Sequence, residues 1–191
     1  MATPAHQLTA AAVELFYEQG AKATTVREIT KACGLTAGAL YNHFTSKEEL
    51  LYTVIMSSHA SLERLVIAAQ SAATGPRGEL VAIVRVYVEQ HAHHRKSSRV
   101  ANREYGTLGG DRRAEIVAIR RRLRDRVVRV IEEGAATGAF ALGGVSATIV
   151  ARAILDMCVH ISAWFHEGQP LTIGELEERY VTLALRMVGA P

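Results

Sequence analysis

Cysteine, proline and aromatic side chains are scarce in this chain, and each scarcity excludes something. Of 191 residues only two are cysteine, Cys33 and Cys158. They stand 125 positions apart, which fits neither a disulfide framework nor a zinc spacing, so reduced thiols in a cytoplasmic protein are expected. Four prolines and 6% aromatics against 49% apolar residues, mostly Ala, Leu, Val and Ile, favour helices packed on helices over a β-sandwich. No apolar run approaches the roughly 20 residues of a spanning helix, and no membrane partner is expected. There is no nucleophile elbow, no Gly-rich phosphate loop and no paired-carboxylate motif, so the sequence reads as a non-enzyme without a cofactor. Repeats and low-complexity tracts are absent as well.

Positive charge is scarce where a basic patch would be simplest to read. The net charge is +3, yet over residues 1–50 four cations (Lys22, Arg27, Lys31, Lys47) face five acids (Glu14, Glu18, Glu28, Glu48, Glu49), a net −1. The excess lies further on. Residues 111–130 hold eight arginines against Asp111, Glu115 and Asp125.

What is present is helical grammar. Leu8, Ala12, Leu15 and Phe16 fall at helical spacing over 6–19, and Gly20 supplies a stop. Thr25 with Glu28 forms a capping box opening a two-turn helix that Gly34 ends, and Thr36 then caps a helix over 37–44. Two short helices with a glycine in the turn make a helix-turn-helix. Ser46 with Glu49 opens a long helix that "TGPRG" at 74–78 interrupts, with Pro76 in the first turn of the next. Further helices are expected over 98–108, 111–134, 145–166 and 172–188. The expected fold is all-α with about nine helices: a three-helix helix-turn-helix module at 1–47, and a helical ligand-binding and dimerisation domain at 48–191.

The short helix carries the chemistry. Leu35, Leu40 and Phe44 face inward, and Thr36, Ala37, Gly38 and Ala39 make a leading turn small enough for close backbone approach to DNA. Tyr41, Asn42 and His43 point outward. A tyrosine hydroxyl and an imidazole N–H donate to phosphate oxygen, and an amide reads an adenine edge or a phosphate. Lys47 adds a cation at the start of the following helix.

Residues 8–55, through Gly20, "TVREI" at 25–29, Gly34-Leu35, Tyr41-x-His43-Phe44 and "KEELL" at 47–51, resemble in order and spacing the DNA-binding module of TetR-family transcriptional regulators. The resemblance implies a homodimer on a pseudo-palindromic double-stranded operator, joined through its last two helices and released by a small molecule. It further implies that Thr25, Thr36, Tyr41, His43 and Lys47 touch phosphates while Gly38, Ala39 and Asn42 lie near bases. The remainder, through "NREYGTL" at 102–108, "RRAEIVAIRRRL" at 112–123, "EEGAATGAF" at 132–140 and "ILDMCVHISAWFHEGQPLT" at 154–172, resembles the acyl-CoA-responsive branch that controls fatty-acid or steroid breakdown.

Several features keep two readings open. The arginine run is either a solvated helix face with pairs such as Asp125–Arg129 and Glu115–Arg112, or a phosphate-binding row through Arg113, Arg120, Arg121 and Arg124. His91, His93 and His94 end a helix, where imidazoles suit the negative pole, or else mark a metal protein. Trp164, Phe165 and Met157 pack a core or dimer seam, or line a pocket. The candidate effector residues are Tyr87, His91, Asn102, Tyr105, Arg120, Arg121, Met157 and Trp164. The alternatives to an effector-released repressor are a DNA-binding dimer without an effector and a small helical metal protein.

Overall fold

The computed structural model describes residues 3–166 and 168–190. Met1, Ala2, Glu167 and Pro191, which fall inside the two assigned domains, and Glu167 also inside the 154–172 stretch, lie outside the described residues. Among those described there are nine α-helices and no strand: α1 Pro4–Gln19, α2 Val26–Ala32, α3 Ala37–Tyr41, α4 Lys47–Ala72, α5 Gly75–His93, α6 Arg95–Glu104, α7 Gly110–Ala136, α8 Ala147–Trp164 and α9 Ile173–Met187. A single 3-10 turn, Tyr105–Thr107, follows α6.

Local chemistry sets most helix ends. Thr25 accepts from the Glu28 amide while the Glu28 carboxylate takes the Thr25 amide at 2.7 Å, the reciprocal box the sequence implies. Thr172 and Glu175 repeat it at the start of α9. At α4 only half of the expected box forms. Ser46 accepts from the Glu49 amide at 3.1 Å, but the Glu49 carboxylate turns to the amide and hydroxyl of Thr45.

Two boundaries and one apolar stretch differ from expectation. The recognition helix stops at Tyr41 rather than residue 44, because the amides of both His43 and Phe44 turn back onto the Leu40 carbonyl. α6 begins at Arg95 instead of 98; "RKSSR" has no apolar periodicity to announce it. And α8, 18 residues with a mean hydropathy of 1.3, is long and apolar enough by composition to cross a membrane. It packs against α5 and α9, and it carries Arg152, Asp156 and His160 on its exposed side.

The packing divides the chain into two compact units: residues up to His59 with Lys96–Ile116, and Ala60–Arg95 with the chain from Val117 onward. The division of roles read at residue 47 is therefore distinct from the division of packing, which gives the first turns of α4 and α6 from Lys96 onward to the N-terminal unit. That unit is centred on Leu8, Ala12 and Phe16 of α1, Ile29 of α2, Leu40 of α3 and Ile55 of α4, with Val100 of α6 and Ile116 of α7 against the same core. In the other unit α5 packs on α8 and α9, burying Leu80, Ile83, Val84 and Val88 along with Val150, Ile154, Ile161, Leu176 and Ala184.

Gly134 shows how tightly the second unit closes at the end of α7. An added Cβ there would meet ring atoms of buried Phe140 at 2.1 and 2.3 Å. Glycine inside a helix is normally worse than alanine by about 1 kcal/mol, so Gly134→Ala would stabilise an open site. Here overpacking of about 1–3 kcal/mol opposes that gain. Gly134→Ala is expected to lower the midpoint of urea unfolding, and a raised midpoint would show that the Phe140 ring moves aside freely.

Candidate nucleic-acid interface and effector-side residues

The turn before α3 is built by a Schellman motif. The Leu35 amide donates to the Thr30 carbonyl at 2.8 Å and the Gly34 amide to that of Lys31 at 3.0 Å. Gly34 has φ +69°, the left-handed region that side chains with a Cβ enter at a cost. The tight turn sets α3 against α2, which itself packs on α1, with Leu40 fully buried and Phe44 nearly so.

With the inner face committed, the outer face is left to solvent. Thr36, Ala37, Gly38, Tyr41, Asn42 and His43 are all exposed, Ala39 is half-buried, and Tyr41 keeps 59% of its surface. Thr36 has the extended backbone of a cap, yet its hydroxyl makes no capping bond. The sequence casts it as a cap; its oxygen is instead left to face outward. A Cβ on Gly38 would meet nothing within 4 Å, so the protein's own packing does not demand a glycine there.

Two expected contacts sit differently. The Thr25 hydroxyl donates to Glu28 at 2.7 Å, and that bond is the first cause holding the Glu28 carboxyl below its usual range. The Lys47 ammonium donates to the Ala21 and Thr24 carbonyls at 2.7 and 2.6 Å. It pins the α1–α2 loop, and one of its three N–H donors remains. The exposed cations of this module are Lys22, Arg27 and Lys31, which the sequence reading does not place in the interface.

The candidate effector residues fall in both units. Asn102 and Tyr105, half-buried in α6 and the 3-10 turn, belong to the N-terminal unit; the other six belong to the second. There Tyr87 and His91 stack with ring centroids 5.8 Å apart and planes 5° from parallel. Both are buried, and His91 Nδ1 lies 2.8 Å from the Tyr87 carbonyl. A carbonyl only accepts, so Nδ1 carries the proton. Burial drives the His91 pKa down to about 4, with the Arg120 charge adding in the same direction, and it pushes the Cys158 thiol up to about 12. Tyr87, His91 and Cys158 are thus all buried, and the Arg120 charge acts on both stacked rings. Met157 is half-buried, whereas Trp164 retains 38% of its surface.

The structure places the arginines of α7 individually. Arg122 forks onto Glu63 at 2.6 and 2.8 Å, and Arg126 donates to Gln70. Asp125 pairs with Arg121 and Arg124, while Arg129 reaches only the Asp125 backbone carbonyl, which corrects the Asp125–Arg129 pair. The Glu115–Arg112 pair is also corrected: Glu115 accepts from the Tyr52 hydroxyl and Arg112 lies near Glu48. Arg113 belongs to the N-terminal unit and Arg120, Arg121 and Arg124 to the other. Of the three histidines, His91 is buried and His93 and His94 exposed, so they do not converge. Among the described residues no group of three His, Cys, Asp or Glu side chains is placed to hold a metal ion.

Two family models cover most of the chain. Residues 8–54 match the model of bacterial regulatory proteins of the tetR family, and residues 73–188 match the tetracyclin repressor-like C-terminal domain. A transcriptional repressor from Mycolicibacterium smegmatis, KstR2, is 27% identical over 180 residues, 94% of this chain and 87% of its own. The crystal structure of a tetR-family regulatory protein from Rhodococcus RHA1 superposes with a TM-score of 0.91 at 34% identity, covering all of both chains. The fold is also that of AibR, solved with isovaleryl coenzyme A and operator DNA, with a TM-score of 0.85 at 23% identity over 98% of this chain and 99% of that one.

Proposed function

This chain belongs to the TetR family of bacterial regulatory proteins, and from that premise we propose that it is a homodimeric repressor that leaves a pseudo-palindromic operator when a coenzyme A ester binds. The observation that supports DNA reading best is the outer face of α3: a leading turn without bulk beside exposed Tyr41, Asn42 and His43. In this reading Thr36, Tyr41 and His43 donate to phosphates, Ala37, Gly38, Ala39 and Asn42 approach base edges, and Thr25 and Lys47 hold the loop behind them while Lys47 keeps one donor for phosphate. The dimer carries its two α3 helices about 34 Å apart, one turn of DNA. Exposed apolar side chains at Val145, Ile149, Trp164, Leu183 and Met187, in and beside α8 and α9, supply a surface for the second copy.

Within the second unit, an effector on Tyr87, His91, Met157 and Trp164 would place an apolar acyl group, with Arg120 and Arg121 on the coenzyme phosphates. Release requires that the ligand bind the DNA-incompetent state better. A coupling of about 1–3 kcal/mol weakens operator binding roughly 5- to 150-fold, and the operator weakens the ligand equally. The test is fluorescence anisotropy on the DNA flanking the protein's own gene at one fixed salt concentration, titrated with acyl-CoA esters and their free acids. Release by the esters is expected; tight ester binding with no change in operator affinity would remove the mechanism. Replacing Arg120 and Arg121 together by alanine is expected to raise the ester concentration for half-release roughly 10-fold or more, leaving operator affinity alone. An intact response would return both arginines to the solvated face.

A further inference from the structure

The end of α1 is held by side chains far away in sequence. Helix C-termini leave their last carbonyls without intrahelical donors and carry partial negative charge. Arg103 of α6 adds donors there: its guanidinium donates to the Phe16 carbonyl, which also accepts the Gly20 amide at 3.0 Å, and a second nitrogen lies 3.4 Å from the Tyr17 carbonyl. Its Nε donates to Glu104 Oε1 at 2.8 Å. Glu104 is 7% exposed, a carboxylate buried among apolar residues with the guanidinium beside it. The cradle closes on Gly20, whose φ of +84° ends α1; a Cβ there would stand 3.6 Å from Glu104 Oε1. About two turns earlier in α6, Lys96 pairs with Glu14 and lies over the Tyr17 ring at 5.9 Å.

The other end of the same loop is held by Lys47, donating to Ala21 and Thr24. Two basic side chains, from α4 and from α6, therefore donate to main-chain carbonyls within and just before the six-residue connection between α1 and α2. All of these residues lie within the N-terminal unit. α2 packs on α1 and α3 on α2, with Phe16, Ile29 and Leu40 in one shared core, so what fixes the end of α1 bears on the direction in which α3 presents its outer face.

We propose that Arg103, seated by Glu104, is a positioning residue for operator recognition: it caps α1 from α6 and thereby sets the angle of the reading head, and with it the half-site spacing the dimer accepts. The proposal rests on the DNA-reading assignment above. A guanidinium suits the position because its fork spans two successive carbonyls and a carboxylate at once, which an ammonium cannot do with the same geometry.

The experiment begins by selecting duplexes from random DNA with the wild-type protein, then measures affinity for the selected site and for versions with one base pair inserted or deleted between half-sites. Wild type is expected to discriminate among spacings by 10-fold or more. Arg103→Ala is expected to lose most of that discrimination, binding the selected spacing about 10-fold more weakly and the altered spacings within about 2-fold of wild type. Arg103→Lys is expected to recover part of it. Hydrogen exchange of the segment 15–25 is expected to accelerate in Arg103→Ala while α8 and α9 stay protected. Should Arg103→Ala fold poorly, Glu104→Gln keeps the shape and removes the charge that seats Arg103, and it is expected to relax spacing in the same direction. Wild-type discrimination in both variants, or a loss equal on every spacing, would overturn the positioning role. Failure of the wild type to enrich any DNA would instead overturn the DNA-reading assignment and the proposal with it, so the two failures are told apart.

Discussion

Removing the Tyr41 hydroxyl or the His43 imidazole is expected to weaken operator binding roughly 30- to 150-fold without unfolding the protein. Each group, in the proposed reading, donates one hydrogen bond to a phosphate, worth about 1–1.5 kcal/mol. The dimer makes every contact twice, so a single substitution removes about 2–3 kcal/mol. Stability is spared because Tyr41 is 59% exposed and His43 is exposed too; Tyr41→Phe and His43→Ala should leave the thermal midpoint within a degree or two of wild type. Tyr41→Phe removes no cation, so the slope of log affinity against log salt should hold. Arg27→Ala, which removes an exposed cation of the same module, is the contrast: if that cation lies on a phosphate, its loss lowers the slope by about 1 per site. Unchanged affinity in both Tyr41→Phe and His43→Ala would mean that the reading surface lies elsewhere.

What was legible in the sequence was what is local in the chain. Thr25 and Glu28 stand three residues apart, and Gly34 follows the helix it ends; capping and turn chemistry act over such distances, and the structure forms both. α6 was misplaced at its start because "RKSSR" is polar throughout, and its helix is sustained by Val100 and Ala101 against a core assembled elsewhere. The partners of Lys47 lie 23 and 26 residues away, and those of Arg103 lie 86 and 87 residues away. No spacing rule reaches that far, so Lys47 read as a phosphate cation and Arg103 not at all. The same limit acts on the arginines of α7: Arg122 on Glu63 and Arg112 by Glu48 are choices made by packing, where sequence offers only the acids three or four positions along.

The second large effect is expected in acid. In the folded chain His91 titrates near 4, chiefly because its imidazole is buried, while in the unfolded chain it returns to about 6.5. Above pH 6.5 both states hold it neutral and it adds no pH dependence. Between 6.5 and 4 the unfolded chain takes up a proton that the folded chain refuses, so stability falls as pH falls, by about 3 kcal/mol over the window. Glu28, Glu49, Glu63 and Glu175, whose carboxyls are held below their usual range, also lose stability towards acid, and Glu177, held above it by burial, works the other way. The His91 share is therefore read as a difference between wild type and His91→Gln in urea unfolding at a series of pH values. The variant loses the stack on Tyr87 and is expected to be weaker at pH 7, but its stability should fall less steeply from pH 6.5 to 4. The His91 imidazole resonances of wild type should likewise stay in the neutral form down to about pH 4. A parallel decline in both proteins would mean that the folded state protonates His91 near its ordinary pKa. In that case water reaches the Tyr87–His91 stack, and the region proposed to receive the acyl group is wetter than an apolar ligand requires.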